Sequence, residues 1–129
     1  MTGIVDLQQL LKTMQPVLAQ GRYVFCCLEG RYGDHQSLNP LSSFQESEGL
    51  TLVLDQDEAK MAGLAYESVF RKITLSVHSS LDAVGLTAAV AECLASHGIS
   101  ANVVAAYYHD HVFVPQERAE EALSLLQGL

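Results

Sequence analysis

An α+β fold built on antiparallel sheets is the class this sequence predicts, and three features carry the prediction. Ile73, Leu75 and Val77 alternate with Lys72, Thr74, Ser76 and His78, the period-two pattern of a strand with one face buried. From Leu86 the period lengthens: Leu86, Val90, Cys93, Leu94 and His97 fall on one side of a helix, and Gly98 ends it in a left-handed cap position. Two runs rich in β-branched and small apolar residues then follow around a tight reversal, and helical spacing returns near the end of the chain. The order over this stretch is β-α-β-β-α.

The elements follow in turn. Leu7, Leu10, Leu11 and Met14 mark an amphipathic helix, with Pro16 to Gln20 as its ragged end, and Gly21 precedes a strand from Arg22 to Leu28. Glu29 to Pro40, with Gly30, Gly33, Asp34, Asn39 and Pro40, has the turn chemistry of a loop. A short strand around Ser43 to Gln45 and a turn at Glu48-Gly49 lead into the strand Leu50 to Leu54. An acidic helix over Gln56 to Met61 is closed by Gly63. A long strand, Tyr66 to His78, precedes the segment Ser79 to Gly85 and the helix from Leu86. The strand Ile99 to Tyr107 turns near His109-Asp110 into the strand His111 to Val114. Pro115 stops that strand, and Ala119, Ala122, Leu123 and Leu126 mark a last helix between Glu117 and Gln127.

The succession of helix, glycine, strand, hairpin, strand and short acidic helix occurs twice, with Gly21 answering Gly98 and Leu50 to Leu54 answering Val112 to Val114. Two halves are therefore expected, residues 1–65 and 66–129, sharing the long strand at about 66–78. The second half shows no terminal strand of its own before Leu129.

Composition limits function. A formal charge of −8 with only seven Lys and Arg leaves no basic patch to neutralise phosphates, so neither nucleic acid nor an anionic membrane is an expected partner. No apolar run approaches the roughly 20 residues that span a bilayer, and Met1 to Gln20 lacks the basic start and apolar core of a secretory signal. A soluble, cytoplasmic protein is expected. Cys26, Cys27 and Cys93 form no C-x-x-C spacing and read as buried reduced thiols, the first two pointing to opposite faces of one strand. There is no nucleophile elbow, phosphate loop or dinucleotide fingerprint. Asp55, Asp57, Glu58, Glu117, Glu120 and Glu121 read as solvated helix faces. A non-enzyme without cofactor is the expectation.

Ser79-Ser80-Leu81-Asp82-Ala83-Val84-Gly85 between strand and helix, in the order β-α-β-β-α, resembles the ACT domain, the small ferredoxin-like module that binds amino acids in regulated metabolic enzymes. The phrases VFRKITLSVHSSLDAVGLTAAVA, HGISANVVAAYYHDHVFVP and EGLTLVLD are similar to recurring text in a group of short, stand-alone bacterial ACT-domain proteins without an assigned biochemical role. The likeness covers most of residues 20 to 127. It implies a ferredoxin-like ACT fold in both halves, the first of them degenerate.

A helix starting at the end of a strand offers unpaired N–H groups and partial positive charge to a carboxylate, and Ser79 to Gly85 is such a place. Ser80 is suited to cap the helix, Asp82 to sit in its first turn, and Gly85 to admit close approach. The same residues are ordinary ones for any strand-to-helix turn. The resemblance implies a ligand, an amino acid or similar small metabolite, with Ser79, Ser80, Asp82, Val84 and Gly85 as one wall and Asn102 and Val103 as the other. Asp82 is the candidate for the ligand's ammonium group.

Two other readings compete. His109 and His111 flank Asp110, and His78 ends a neighbouring strand, so these three imidazoles are candidate ligands for a divalent metal. Alternatively, an open sheet edge is covered by pairing with another chain, which makes the protein a homodimer and an interaction module that needs no ligand.

Overall fold

The computed structural model describes residues 6–78 and 80–129. They form eleven regular elements in chain order: α1 (Leu7–Thr13), β1 (Pro16–Leu18), β2 (Tyr23–Leu28), β3 (Ser42–Glu46), β4 (Gly49–Asp55), α2 (Gln56–Met61), β5 (Phe70–Leu75), α3 (Leu86–Ala95), β6 (Asn102–Ala105), β7 (Asp110–Pro115) and α4 (Ala119–Gln127), with 3₁₀ turns at Tyr32–His35 and Gln116–Arg118. The chain divides into two compact units. One is Gly21–Phe70, and the other joins Met1–Gln20 to Arg71–Leu129. By packing, the segment before Gly21 groups with Arg71–Leu129, a division that differs from the expected sequence halves at residues 65 and 66. No described helix is long and apolar enough to cross a membrane.

In the unit Gly21–Phe70, β2 and β4 run antiparallel from Tyr23↔Asp55 to Leu28↔Leu50, and β3 pairs with the other side of β4 from Ser42↔Val53 to Glu46↔Gly49. Strand alternation sends Val24, Cys26, Leu50, Leu52 and Leu54 into one core with Ala59 of α2, while Cys27 faces outward. The expected burial of all three thiols therefore fails at Cys27. Asp55 caps α2 by accepting the Asp57 N–H at 2.9 Å, and Gly63, at φ 71°, lets the chain reverse so that the Leu64 N–H reaches the Ala59 carbonyl. Phe70 pairs with Tyr23 and sets its ring edge-on to Phe25 at 5.4 Å.

The second unit completes itself from the front of the chain. Pro16–Leu18, expected as a ragged helix end, is a strand running antiparallel to β5, from Pro16↔Leu75 to Leu18↔Ile73. The Ala19 N–H extends the pairing to the Lys72 carbonyl at 2.9 Å. β5 also neighbours β7, whose other edge pairs with β6 from Asn102↔Phe113 to Ala105↔Asp110. The order β1-β5-β7-β6 is that of a ferredoxin-like sheet, with β1 in the position that the last strand of that fold takes beside its first. α3 and α4 pack on each other, and α4 also packs on β1.

Two sequence expectations shift here. The long strand Tyr66 to His78 shortens to the six residues of β5, and the reversal sits at Ala106 to His109, where the Ala106 N–H meets the His109 carbonyl at 3.1 Å. Asp110 accordingly opens β7 instead of turning the chain. The proposed repeat is real in its second part, because β4 and β7 each follow a hairpin and lead into a helix. Gly21, however, precedes β2, which stands where β5 stands, so it does not answer Gly98.

The core of this unit gathers Ile73, Leu75 and Val77 of the predicted alternating face with Leu86, Val90 and Leu94 of α3, Val112 and Val114 of β7, and Leu126 of α4. Leu10 and Met14 of α1 enter the same core. On α3 the predicted apolar side ends sooner than expected: Cys93 is half-buried and His97 is exposed. Gly98, at φ 71°, closes α3 and returns Ile99 to the core, its N–H bonded to the Leu94 carbonyl. Arg118 fastens this end by donating to the carbonyls of His97 and Gly98 at 2.9 and 3.1 Å while paired with Glu121.

Leu10 is fully enclosed, whereas Val17 on β1 is 52% exposed. Leu10→Ala is therefore expected to lower unfolding free energy by about 2–5 kcal/mol in urea titration, and Val17→Ala by less than about 0.5 kcal/mol. A neutral Leu10→Ala would mean that α1 is not part of this core.

Candidate functional site

The segment joining β5 to α3 is organised around its own backbone. Ser80 does not cap the helix. Its hydroxyl accepts the Asp82 N–H at 3.1 Å and its carbonyl accepts the Ala83 N–H at 3.0 Å, closing a turn ahead of α3. Asp82 lies in that turn, exposed, and the first turn of α3 carries no acidic residue, against the expectation for Asp82. Ser79 lies outside the described residues.

Gly85 is the N-cap of α3 and has φ 102° and ψ −18°, a backbone conformation that side-chain-bearing residues rarely adopt. Glycine at the N-cap has no side chain to accept from the first-turn amides, and the first turn of this ten-residue helix carries no acidic residue, so among the described residues its N–H groups and the positive end of its dipole meet no carboxylate of the helix itself. Leu81 and Val84 flank this end at 64% and 81% exposure. Of the facing strand, Asn102 is exposed and Val103 is turned to the core cluster, where Ala83 also packs.

Leu7, which the sequence marks only as part of an amphipathic helix, occupies the space beside Gly85. A methyl group placed there would lie 3.0 Å from Leu7 Cδ2, so α1 packs its first residue into the gap that the missing side chain leaves. Leu7 was legible only as one apolar position of an amphipathic helix, and nothing in its spacing pointed to a partner far along the chain.

The histidines lie at the same end of β5 and β7 but are engaged separately. The His109 ring nitrogen Nδ1 donates to the Val77 carbonyl at 3.2 Å, and His111 Nδ1 bonds the Thr74 hydroxyl at 3.0 Å. The His78 ring rests against Tyr108, with centroids 5.0 Å apart, and Tyr107 meets Tyr108 edge-on at 5.1 Å. Among the described residues no three His, Cys, Asp or Glu side chains converge as a metal would require.

The acids predicted as solvated faces include structural ones. Asp55 caps α2, and Glu58 accepts the Asn39 N–H at 2.8 Å, which ties the loop before β3 to α2. These two carboxylates line a shallow cleft of about 420 Å³ with Tyr23, Asn39, Pro40 and Leu41, and none of the expected site residues reaches it.

Burial shifts three groups. It raises the Cys26 thiol, keeping it protonated, and it raises the Asp110 carboxyl against the opposing pull of His109. Burial first, then the Lys72 and His109 charges, lowers His111 from its ordinary 6.5. The unfolded chain therefore binds more protons at His111 than the folded protein does once pH falls through about 6.5, and stability is lost on that descent. Melting temperature is expected to drop between about pH 7.5 and pH 5.5, and His111→Gln to flatten the profile. A profile of unchanged slope in His111→Gln would assign the pH dependence to other groups.

Comparisons place this geometry in a family. One ACT domain model matches residues 2–71 and a second matches residues 67–128. No curated protein matches the chain. A Vibrio cholerae protein of unknown function, described as a possible transport protein, is 54% identical with a TM-score of 0.87, over 95% of this chain and 94% of that one. The Agrobacterium tumefaciens protein Atu0741 is 18% identical with a TM-score of 0.72, over 89% of this chain and 87% of that one. The ligand-free regulatory subunit of aspartate kinase from Thermus thermophilus is 12% identical with a TM-score of 0.62, over 90% of this chain and 97% of that one; at these lower identities the likeness concerns the fold. Two ferredoxin-type halves, each matched by its own model, leave one conclusion: the chain belongs to the ACT-domain family.

Proposed function

We propose that this protein is a non-catalytic regulatory protein that binds an amino acid at the turn between β5 and α3. The observation that carries the reading is the N-terminus of α3, where glycine stands at the N-cap and offers its amides no side-chain cap. In this reading the N–H groups of Leu86, Thr87 and Ala88 hold the α-carboxylate. The exposed Asp82 takes the ammonium, Leu81 and Val84 meet the ligand's side chain, and Asn102 supplies the second wall. Ser80 contributes indirectly, by fixing the turn through its bond to the Asp82 N–H. The aspartate kinase regulatory subunits that share the fold make a signalling role the natural use of such a site: binding shifts either self-association or the activity of a partner.

The test is a thermal-shift screen of the full chain against the proteinogenic amino acids added singly. Ligand binding to the native state raises the apparent melting temperature. One amino acid is expected to raise it, and Asp82→Ala to remove that rise while leaving the ligand-free melting temperature unchanged, since Asp82 is exposed. If Asp82→Ala preserves the full rise, the ammonium position is wrong.

Self-association is the second reading, favoured by a specific surface. β3 ends the sheet of its unit, and its Phe44 is 72% exposed beside an open strand edge. We propose that this edge pairs with a second copy, giving a homodimer. Phe44→Lys is expected to shift the sedimentation coefficient from dimer to monomer, and an unshifted dimer would exclude the β3 edge.

A further inference from the structure

We propose that Leu7 is an intramolecular plug over the β5–α3 turn, and that a ligand enters by exchanging places with it, so that site occupancy is relayed as displacement of the first turn of α1. The inference rests on the reading of that turn as the ligand site. Three observations carry it. Leu7 Cδ2 lies 3.0 Å from where a Gly85 side chain would begin, which puts the leucine methyls on the glycine of the uncapped helix end. The plug belongs to an element anchored further along, where Leu10 and Met14 enter the core that Leu7 itself only borders. Finally, the first turn of α1 is lightly held. Leu7 is half-buried, and Asp6 retains the end by accepting the Gln8 and Gln9 N–H groups at 2.9 and 3.3 Å in an exposed cap.

These facts place a hinge between Leu7 and Leu10. Opening the first turn gives up the Asp6 cap, the Leu10 N–H bond to the Asp6 carbonyl at 2.9 Å and one half-buried leucine, while the fully enclosed Leu10 side chain and the Met14 N–H bond to the Leu10 carbonyl at 2.8 Å remain. The competition is between two occupants of one space, an apolar side chain of the protein and the body of the bound molecule. A ligand pays for displacement out of its own contacts, so affinity in the intact chain is lower than the open turn would give. The displaced segment becomes the signal.

The experiment compares the full-length wild type with Leu7→Ala and, because shortening Leu7 also removes packing, with Asp6→Ala, which loosens the cap and leaves the core alone. Each is titrated with the proteinogenic L-amino acids singly by thermal shift, and amide hydrogen exchange follows for any amino acid that binds. Both variants are expected to bind about tenfold more tightly than wild type. In wild type, the amides of Gln8 and Gln9 lose protection on binding while that of Ala89, bonded to the Gly85 carbonyl at 2.9 Å, gains it. If wild type binds and the variants bind equally or more weakly, or if α1 keeps its protection, Leu7 is a wall or a bystander and the plug is overturned with the site intact. If no amino acid binds even Leu7→Ala, the turn is not an amino-acid site, and the plug falls with it.

Discussion

The pairing of β1 with β5 is the constraint on which the second unit depends. A sheet of β5, β7 and β6 alone would leave one edge of β5 open and α4 partly uncovered, with its apolar face facing water. Three residues, Pro16 to Leu18, close that edge, and they bring the preceding helix with them. Leu10 and Met14 then enter a core otherwise drawn from residues far along the chain. Proline is tolerable at the head of this strand because a strand's first residue need not donate to the ladder. Every contact that α1 makes, including that of Leu7 with Gly85, follows from the strand that positions it.

Gly85 is the point at which this arrangement meets the proposed site. A residue with a side chain at φ 102° would be strained, by roughly 1–3 kcal/mol on general grounds, and its Cβ would press on Leu7. Glycine removes both obstacles and leaves the N-cap position with no group to accept the helix amides. The absence of a cap is costly for an isolated helix. Here α3 is retained by Leu86, Val90 and Leu94 in the core, so burial substitutes for the cap and the amides stay available.

What was legible in the sequence follows from how local each cause is. The alternation through Ile73, Leu75 and Val77 and the helical spacing of Leu86, Val90 and Leu94 are set by burial on one face, and both reappear in the core. β1 was missed because three residues beginning with proline are too short to display a period. Only its remote partner β5 makes it a strand. The reversal at Ala106 to His109 was displaced toward Asp110 because aspartate favours turns, yet here burial in β7 outweighed that preference. Within the candidate segment Ser79 to Gly85, the expected local roles of Ser80 and Asp82 differ from those in the structure. Cap chemistry assigns Ser80 and Asp82 to a helix terminus by residue type, whereas the chain uses Ser80 in a turn five residues ahead of the N-cap position, which Gly85 occupies. Leu7 carries the local signal of an apolar helix position and none of its contact with Gly85.

The two halves differ where it matters for binding. In the second, ten residues of α3 follow the first strand and their amides align into one uncapped terminus. In the first, the corresponding stretch after β2 holds only the 3₁₀ turn Tyr32–His35, in which the Asp34 carboxylate accepts the Arg31 N–H at 2.9 Å and His35 Nε2 bonds the Glu29 carbonyl at 2.7 Å. So short a turn sums little dipole, and its polar groups are spent on one another. A carboxylate therefore meets aligned amides in the second half and a satisfied loop in the first. The first half keeps the sheet and helix of the fold, with α2 capped by Asp55, and contributes architecture. An asymmetric pair of this kind leaves the start of α3 as the place that suits the proposed ligand, and it is also the helix end against which Leu7 packs.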